Sequence, residues 1–100
     1  MQVSINYDRN NLITIRPEDS KYEVSSKEEI NKIFDSTIET LTNLITESDN
    51  LIPENNRVPF KITIEYMYKA DNYDGYVIYL TEGTDKVHSK GIIGHIDINY

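Results

Sequence analysis

Cysteine and tryptophan are absent from this chain of 100 residues, and glycine and proline are scarce, with four and three copies. The lack of cysteine excludes disulfide bonds and metal sites built from thiolates. The four glycines do not have the spacing of a dinucleotide-binding or phosphate-binding loop. No apolar run approaches the roughly 18 residues of a membrane-spanning helix, and neither end carries a signal-peptide or lipidation pattern. We therefore expect a cytoplasmic protein without membrane association, folded as a single domain over residues 1–100.

Catalytic and metal-binding patterns are also missing. No Gly-x-Ser-x-Gly sequence marks a nucleophile, and the serines fall where helix caps and turns are expected. His95 and Asp97 stand two residues apart on one face of a predicted strand, which suits two metal ligands, but no third ligand is indicated. Residues 71–75 resemble a calcium loop, yet their acids have the wrong offsets and a hairpin loop is the better interpretation. The sequence predicts neither an enzyme nor a cofactor or metal site.

Basic residues are also few in comparison with acidic residues. Ten Lys and Arg against 17 Asp and Glu give a formal net charge of −7. Such a charge opposes direct binding to nucleic acid or to an anionic membrane, and it steers the chain toward basic partners. We expect the partner to be a protein with a basic, nucleic-acid-binding surface.

The best-marked element is an amphipathic helix over residues 26–50. Ser26, followed three residues later by Glu29, is a capping box that marks its start. Pro53 and the polar residues after it end any continuation. Apolar residues at spacings of three and four form one stripe along the helix. These residues are Ile30, Ile33, Phe34, Ile38, Leu41, Leu44 and Ile45.

Short stretches of alternating polarity on both sides of the helix predict strands. Before it, strands are expected near residues 2–8, 12–16 and 22–24, with a hairpin turn at residues 9–11. After it, strands are expected over 60–68, 76–80 and 92–100. The order β-β-β-α-β-β-β predicts an α+β fold, with a mostly antiparallel sheet of five to six strands and the helix packed on one face.

Registers within the second group of strands follow from keeping the apolar side continuous. A five-residue loop over 71–75 would pair Tyr68 with Ile78 and Tyr66 with Leu80. In the last strand, alternation places Ile93 on the face opposite to that of Ile96. Tyrosines near strand ends, including Tyr66 and Tyr68, are predicted to point toward the core with wet hydroxyls.

Two surfaces are candidates for binding a partner. On a helical wheel, three acids fall within about 40° of one another and opposite the apolar stripe, and we call them the acidic ridge: Glu28, Asp35 and Glu39. The helix segment 26–50 carries six acids and two lysines, and therefore −4 of the total charge. The second candidate is a mixed patch on the sheet face away from the helix, which we call the outer-sheet patch: Glu65, Met67, Val77 and Tyr79.

Fifteen Ile against five Leu, ten Asn and one Ala indicate the AT-rich codons of a low-GC bacterium or its phages. In size, acidity and genome style the chain resembles the small inhibitors that phages and mobile elements make against host nucleases, including the anti-CRISPR proteins. Those proteins share no motif or fold, so the resemblance assigns no site residues. It implies an inhibitor of a host nucleic-acid-binding defence protein, of the anti-CRISPR or anti-restriction type. The alternatives are an immunity protein for a cognate toxin, and a homo-oligomeric structural component that pairs through its C-terminal strand.

Overall fold

The computed structural model describes residues 1–8, 16–84 and 88–100, which contain one long helix and one five-stranded antiparallel sheet. The elements are β1 (Gln2–Tyr7), β2 (Ser20–Glu23), α1 (Lys27–Asp49), β3 (Phe60–Ala70), β4 (Tyr73–Gly83) and β5 (His88–Asn99). The predicted α+β class, with the helix packed on the sheet, is confirmed. The predicted hairpin turn at residues 9–11 and the predicted strand at 12–16 lie outside the described residues, except Arg16, which belongs to no strand.

The start of α1 follows the capping pattern in a modified form. Ser26 has extended backbone angles, and its hydroxyl accepts the amide of Glu29 at 3.3 Å. The Glu29 carboxylate returns to Ser25 rather than to Ser26, accepting the Ser25 amide at 3.0 Å and its hydroxyl at 3.2 Å. The cap therefore satisfies the Glu29 amide of the first turn, while the Glu29 carboxylate binds Ser25, which precedes the cap residue.

Removing this cap should reduce the stability of the domain. We expect Ser26→Ala to lower the free energy of unfolding by about 1 kcal/mol, because the Glu29 amide loses its acceptor. Urea denaturation followed by circular dichroism measures the loss. Ser36→Ala, at an exposed position within α1, should be neutral or slightly stabilising, because alanine is the better helix former. Equal losses in both variants would show that the cap adds nothing.

The strands lie in the order β2-β1-β5-β4-β3, and each neighbouring pair is antiparallel. The C-terminal strand β5 therefore lies at the centre of the sheet, between β1 and β4. The prediction that β5 offers an open edge for self-assembly is wrong. β5 pairs on both sides because β1 and β4 both carry apolar residues, and placing β5 between them buries more apolar surface.

The core fills the space between α1 and one face of the sheet. From the helix, Ile30 and Leu41 are buried, and Thr37 is buried with its hydroxyl donating to the Ile33 carbonyl at 2.7 Å. Each fully buried aliphatic side chain contributes about 1.5–3 kcal/mol. The sheet contributes aliphatic residues from four strands to the same cluster: Val3, Ile5, Ile62, Ile78, Leu80, Ile93, Ile96 and Ile98.

The β3–β4 hairpin has a shorter turn than the sequence predicts. Its loop is residues 71–72, and Tyr66 pairs with Tyr76 while Ile64 pairs with Ile78. The predicted five-residue loop and the pairing of Tyr68 with Ile78 are therefore wrong. A β-bulge at Met67 adds one residue to β3, which changes the phase of alternation and lets a short turn coexist with a continuous apolar face.

A second irregularity, between β4 and β5, changes which isoleucine enters the core. Ile78 pairs with Gly94 and Tyr79 with Ile92, so Ile93 is the extra residue. Ile93 is fully buried in the same cluster as Ile96, and its predicted place on the opposite face is wrong. The bulge interrupts the two-residue period on which that prediction depended.

No helix in the described parts of the chain is long and apolar enough to cross a lipid bilayer.

Candidate binding surfaces

The acidic ridge occupies the side of α1 that faces away from the sheet. Glu28, Asp35 and Glu39 are all exposed, opposite the buried positions Ile30 and Leu41. Within the described residues, the ion pairs join Arg16 to Asp19 and Lys90 to Glu65, and neither involves the ridge. The three carboxylates are therefore available to a partner.

Lys32 dilutes the ridge. It follows Glu28 by one helical turn, which places it on the same side of α1. Its side chain also lines a cleft of about 290 Å³ between α1 and the β1–β2 edge, next to Ile33 and Thr37. The ridge thus presents three acids with one base beside them, and its field is weaker than a plain count of carboxylates suggests.

The outer-sheet patch is organised by a lysine that the sequence prediction did not include. Lys90 donates to the Glu65 carboxylate at 2.8 Å, and its Nζ lies 4.3 Å from the centroid of the Tyr79 ring. The contact with Glu65 raises the pKa of Lys90, so this group stays cationic. Glu65 and Tyr79 are therefore brought together, but both already contact Lys90 of the same chain.

Val77 and Met67 have very different accessibility in this patch. Val77 is only 1 % exposed, so it cannot itself contact a partner, and its predicted role in binding is wrong. Met67 is 55 % exposed at the bulge. Ile93, which was predicted on this face of the sheet, lies in the core cluster, and Ile92 pairs with Tyr79.

Aromatic residues gather at the end of the sheet near the β3–β4 turn. Tyr68 lies opposite Gly75, and its ring fills the space that a Cβ atom at Gly75 would need, 2.6 Å from its Cε1. The Tyr73 hydroxyl donates to that of Tyr68 at 2.8 Å, with the rings edge to face at 5.4 Å. The predicted core position of Tyr68 is wrong, because the bulge places it on the same face as Gly75.

Asp74 is the centre of a second aromatic group, on the helix side of the sheet. Its carboxylate accepts the hydroxyls of Tyr66, at 3.4 Å, and of Tyr100. Tyr76 packs edge to face against Tyr66 at 5.3 Å and against Phe34 of α1 at 4.9 Å. A cleft of about 310 Å³, lined on the sheet side by Asp74, Tyr76 and Tyr100, opens toward the first turns of α1.

The tyrosines around Asp74 remain protonated well above neutral pH. The hydrogen bond to Asp74, helped by partial desolvation, raises the pKa of Tyr100 to about 12. Partial desolvation and the Asp74 charge also raise the pKa of Tyr66 and of Tyr76. These hydroxyls therefore act as hydrogen-bond donors to the carboxylate and not as bases.

Sequence reasoning did not find the Asp74 group, and the signal for it was weak. Asp74 was assigned to a loop, whereas it lies in β4 beside Ile98 of β5. Only the correct hairpin register brings Asp74 near Tyr66. His95 and Asp97 do follow the expected strand, but in the described ranges no three potential metal ligands come together.

Comparisons with protein-family models, with curated proteins and with solved structures give no match.

Proposed function

We propose that this protein is a non-enzymatic inhibitor that docks on the basic, nucleic-acid-binding surface of another protein and blocks access of its substrate. The proposal includes a phage or mobile-element origin and a host defence protein, of the anti-CRISPR or anti-restriction class, as the target. The observation that carries it is the acidic ridge, whose residues Glu28, Asp35 and Glu39 are exposed and make no ion pair within the described residues.

The spacing of the ridge supports docking to a groove built for nucleic acid. Along α1, Glu28 and Asp35 are separated by about 10 Å, and Asp35 and Glu39 by about 6 Å. These distances are comparable with those between phosphates along a nucleic-acid strand. Exposed charges act over a Debye length of about 8 Å at physiological salt, so association should be fast and sensitive to salt.

Reversing the ridge charges should remove most of this attraction. We expect the triple variant Glu28→Lys, Asp35→Lys, Glu39→Lys to lose at least tenfold in affinity for the partner, because it exchanges attraction for repulsion at three positions. The wild-type and variant proteins are immobilised, exposed to a low-GC bacterial lysate and eluted with a salt gradient. Partners are identified and quantified by mass spectrometry, and their nucleic-acid binding is then measured with and without the purified protein.

A matched control separates ridge position from net charge. Glu23, Glu54 and Asp71 are exposed and lie outside α1; their reversal to Lys also takes the charge from −7 to −1, since each change adds two. Asp19 is unsuitable as a control because its carboxylate accepts the Tyr7 amide at 2.9 Å. Equal losses in the two triple variants, or a captured partner whose nucleic-acid binding is unaffected, would contradict the proposal.

The immunity-type alternative depends on the outer-sheet patch and has one specific support, the exposed Met67 at the bulge. An interface centred there would be mainly apolar, so salt would affect it little. The same experiment distinguishes the two functions. A single partner that resists the salt gradient and binds both triple variants like wild type would favour the immunity-type function.

A further inference from the structure

Of the two edge strands in the described sheet, β3 is much the longer. β3 has 11 residues, and among the described strands its one neighbour is β4. The opposite edge strand, β2, has four residues. Natural proteins keep edge strands short, charged or bulged because an open row of amide and carbonyl groups pairs readily with another strand.

The two halves of the β3 edge differ in regularity. The bulge at Met67 interrupts the second half of the strand, where Lys69 is exposed. The first half, residues 60–66, pairs with β4 without irregularity. Pro59, which has no amide hydrogen, immediately precedes it. An incoming strand therefore finds seven regular residues bounded at both ends.

The sequence of this segment is complementary to itself. Consider a second copy that pairs antiparallel about a two-fold axis through Thr63. Lys61 then lies opposite Glu65 of the second copy, and Thr63 opposite Thr63. On the helix side, the apolar pairs are Phe60 with Tyr66 and Ile62 with Ile64. Opposite charges, paired threonines and paired apolar groups are each favourable across strands.

From this complementarity we propose that a second copy of this chain binds the β3 edge, pairing residues 60–66 antiparallel with Thr63 on the two-fold axis. The two five-stranded sheets then form one continuous sheet of ten strands, with both helices on the same side. The proposal concerns a different surface from the acidic ridge and does not depend on the proposed function.

Other registers are less favourable. A two-fold axis normal to the sheet passes through one residue of β3 and pairs residues that lie on the same face. Each possible register therefore corresponds to a different residue on the axis. An axis at Ile62 or Ile64 separates Lys61 from Glu65 of the second copy. An axis at Glu65 places the two Glu65 carboxylates together and Lys61 opposite Lys69. The register centred on Thr63 alone satisfies both charges.

Charge and exposure at this edge also suit self-association. With Lys61, Lys69 and Glu65, β3 has a net charge of +1, so this edge does not add to the repulsion expected between two chains that each carry −7. Glu65 contacts Lys90 through Oε2, which leaves Oε1 for a second lysine. Tyr66 is 53 % exposed and would be partly covered by the second copy.

A charge-steering experiment tests the register. Sedimentation equilibrium over a wide concentration range should show wild-type dimers. Lys61→Glu and Glu65→Lys should each dimerise about tenfold more weakly, because each places like charges opposite one another at both symmetry-related pairs. An equimolar mixture of the two variants should recover heterodimers, since the opposite charges then face each other. Lys69→Glu, on the same strand beyond the bulge, should dimerise like wild type.

Cross-linking gives a second test in a chain without cysteine. Thr63→Cys should form a covalent dimer under mild oxidation by copper phenanthroline, since the two residues lie directly opposite one another. Lys69→Cys should not. A wild-type protein that remains monomeric at all concentrations overturns the proposal, and so does a dimer that Lys61→Glu and Lys69→Glu weaken equally or that Thr63→Cys fails to cross-link.

Discussion

Leu41→Ala should lower the free energy of unfolding by about 3 kcal/mol, the largest effect expected of a single side-chain truncation in α1. Leu41 has no exposed surface and belongs to the cluster that includes Ile62 and Leu80 of the sheet. The truncation removes buried methyl groups and leaves a cavity between helix and sheet, which the close-packed core can only partly refill. In a domain of this size, whose total stability is about 5–15 kcal/mol, such a loss should lower the melting temperature by about 12–24 °C.

Leu44→Ala is the matched control, because it makes the same chemical change one turn along the same helix. Leu44 is partly exposed and lies outside the residues that pack on the core cluster. Its truncation should cost about 1 kcal/mol or less. Urea denaturation of both variants, with the midpoint and the slope compared, measures the difference. Similar losses in the two variants would mean that α1 does not rest on the sheet through Leu41.

Gly94→Ala should destabilise the protein by about 2–3 kcal/mol, because the new methyl group has no room at the centre of the sheet. A Cβ atom at Gly94 would lie 2.8 Å from the carbonyl oxygen of Asn6 and 3.1 Å from Cδ1 of Ile78. Gly94 is buried and lies in β5 between Tyr7 of β1 and Ile78 of β4. The Asn6 carbonyl belongs to the β1 backbone, which can move away only if its pairing with β5 is disturbed.

Gly75→Ala tests whether the identity of the neighbour matters more than the distance to it. A Cβ atom at Gly75 would come still closer to a neighbour, at 2.6 Å, but that neighbour is the outer end of the Tyr68 ring. The ring can rotate away at the cost of its hydrogen bond with Tyr73, so the loss should be about 1 kcal/mol. Thermal unfolding of both variants gives the order of stability. If Gly75→Ala were the more damaging change, the shorter distance rather than the rigid backbone would control the cost.

Both candidate surfaces show how far a single sequence can go. The acidic ridge was predictable because a helix has a fixed period, so the exposed side of α1 follows directly from the positions of its apolar residues. The outer-sheet patch was predictable only in part. Glu65 and Tyr79 do come together, but Lys90, which joins them, was missed because its place depends on the β4–β5 register.

Local patterns in the chain were sufficient to predict the helix, its capped start at Ser26, the α+β class and the acidic outer side of α1. These features depend on local chemistry and on a regular period, so they can be read from neighbouring residues alone. The central position of β5, the short hairpin turn and the bulges at Met67 and Ile93 could be found only in the folded protein. A bulge leaves no clear mark in the alternation of polar and apolar residues along a strand, so it cannot be located from the sequence. Strand order depends on contacts between segments that are distant in the chain. The bulges and the strand order both follow from the pairing that places the most apolar surface beneath the helix.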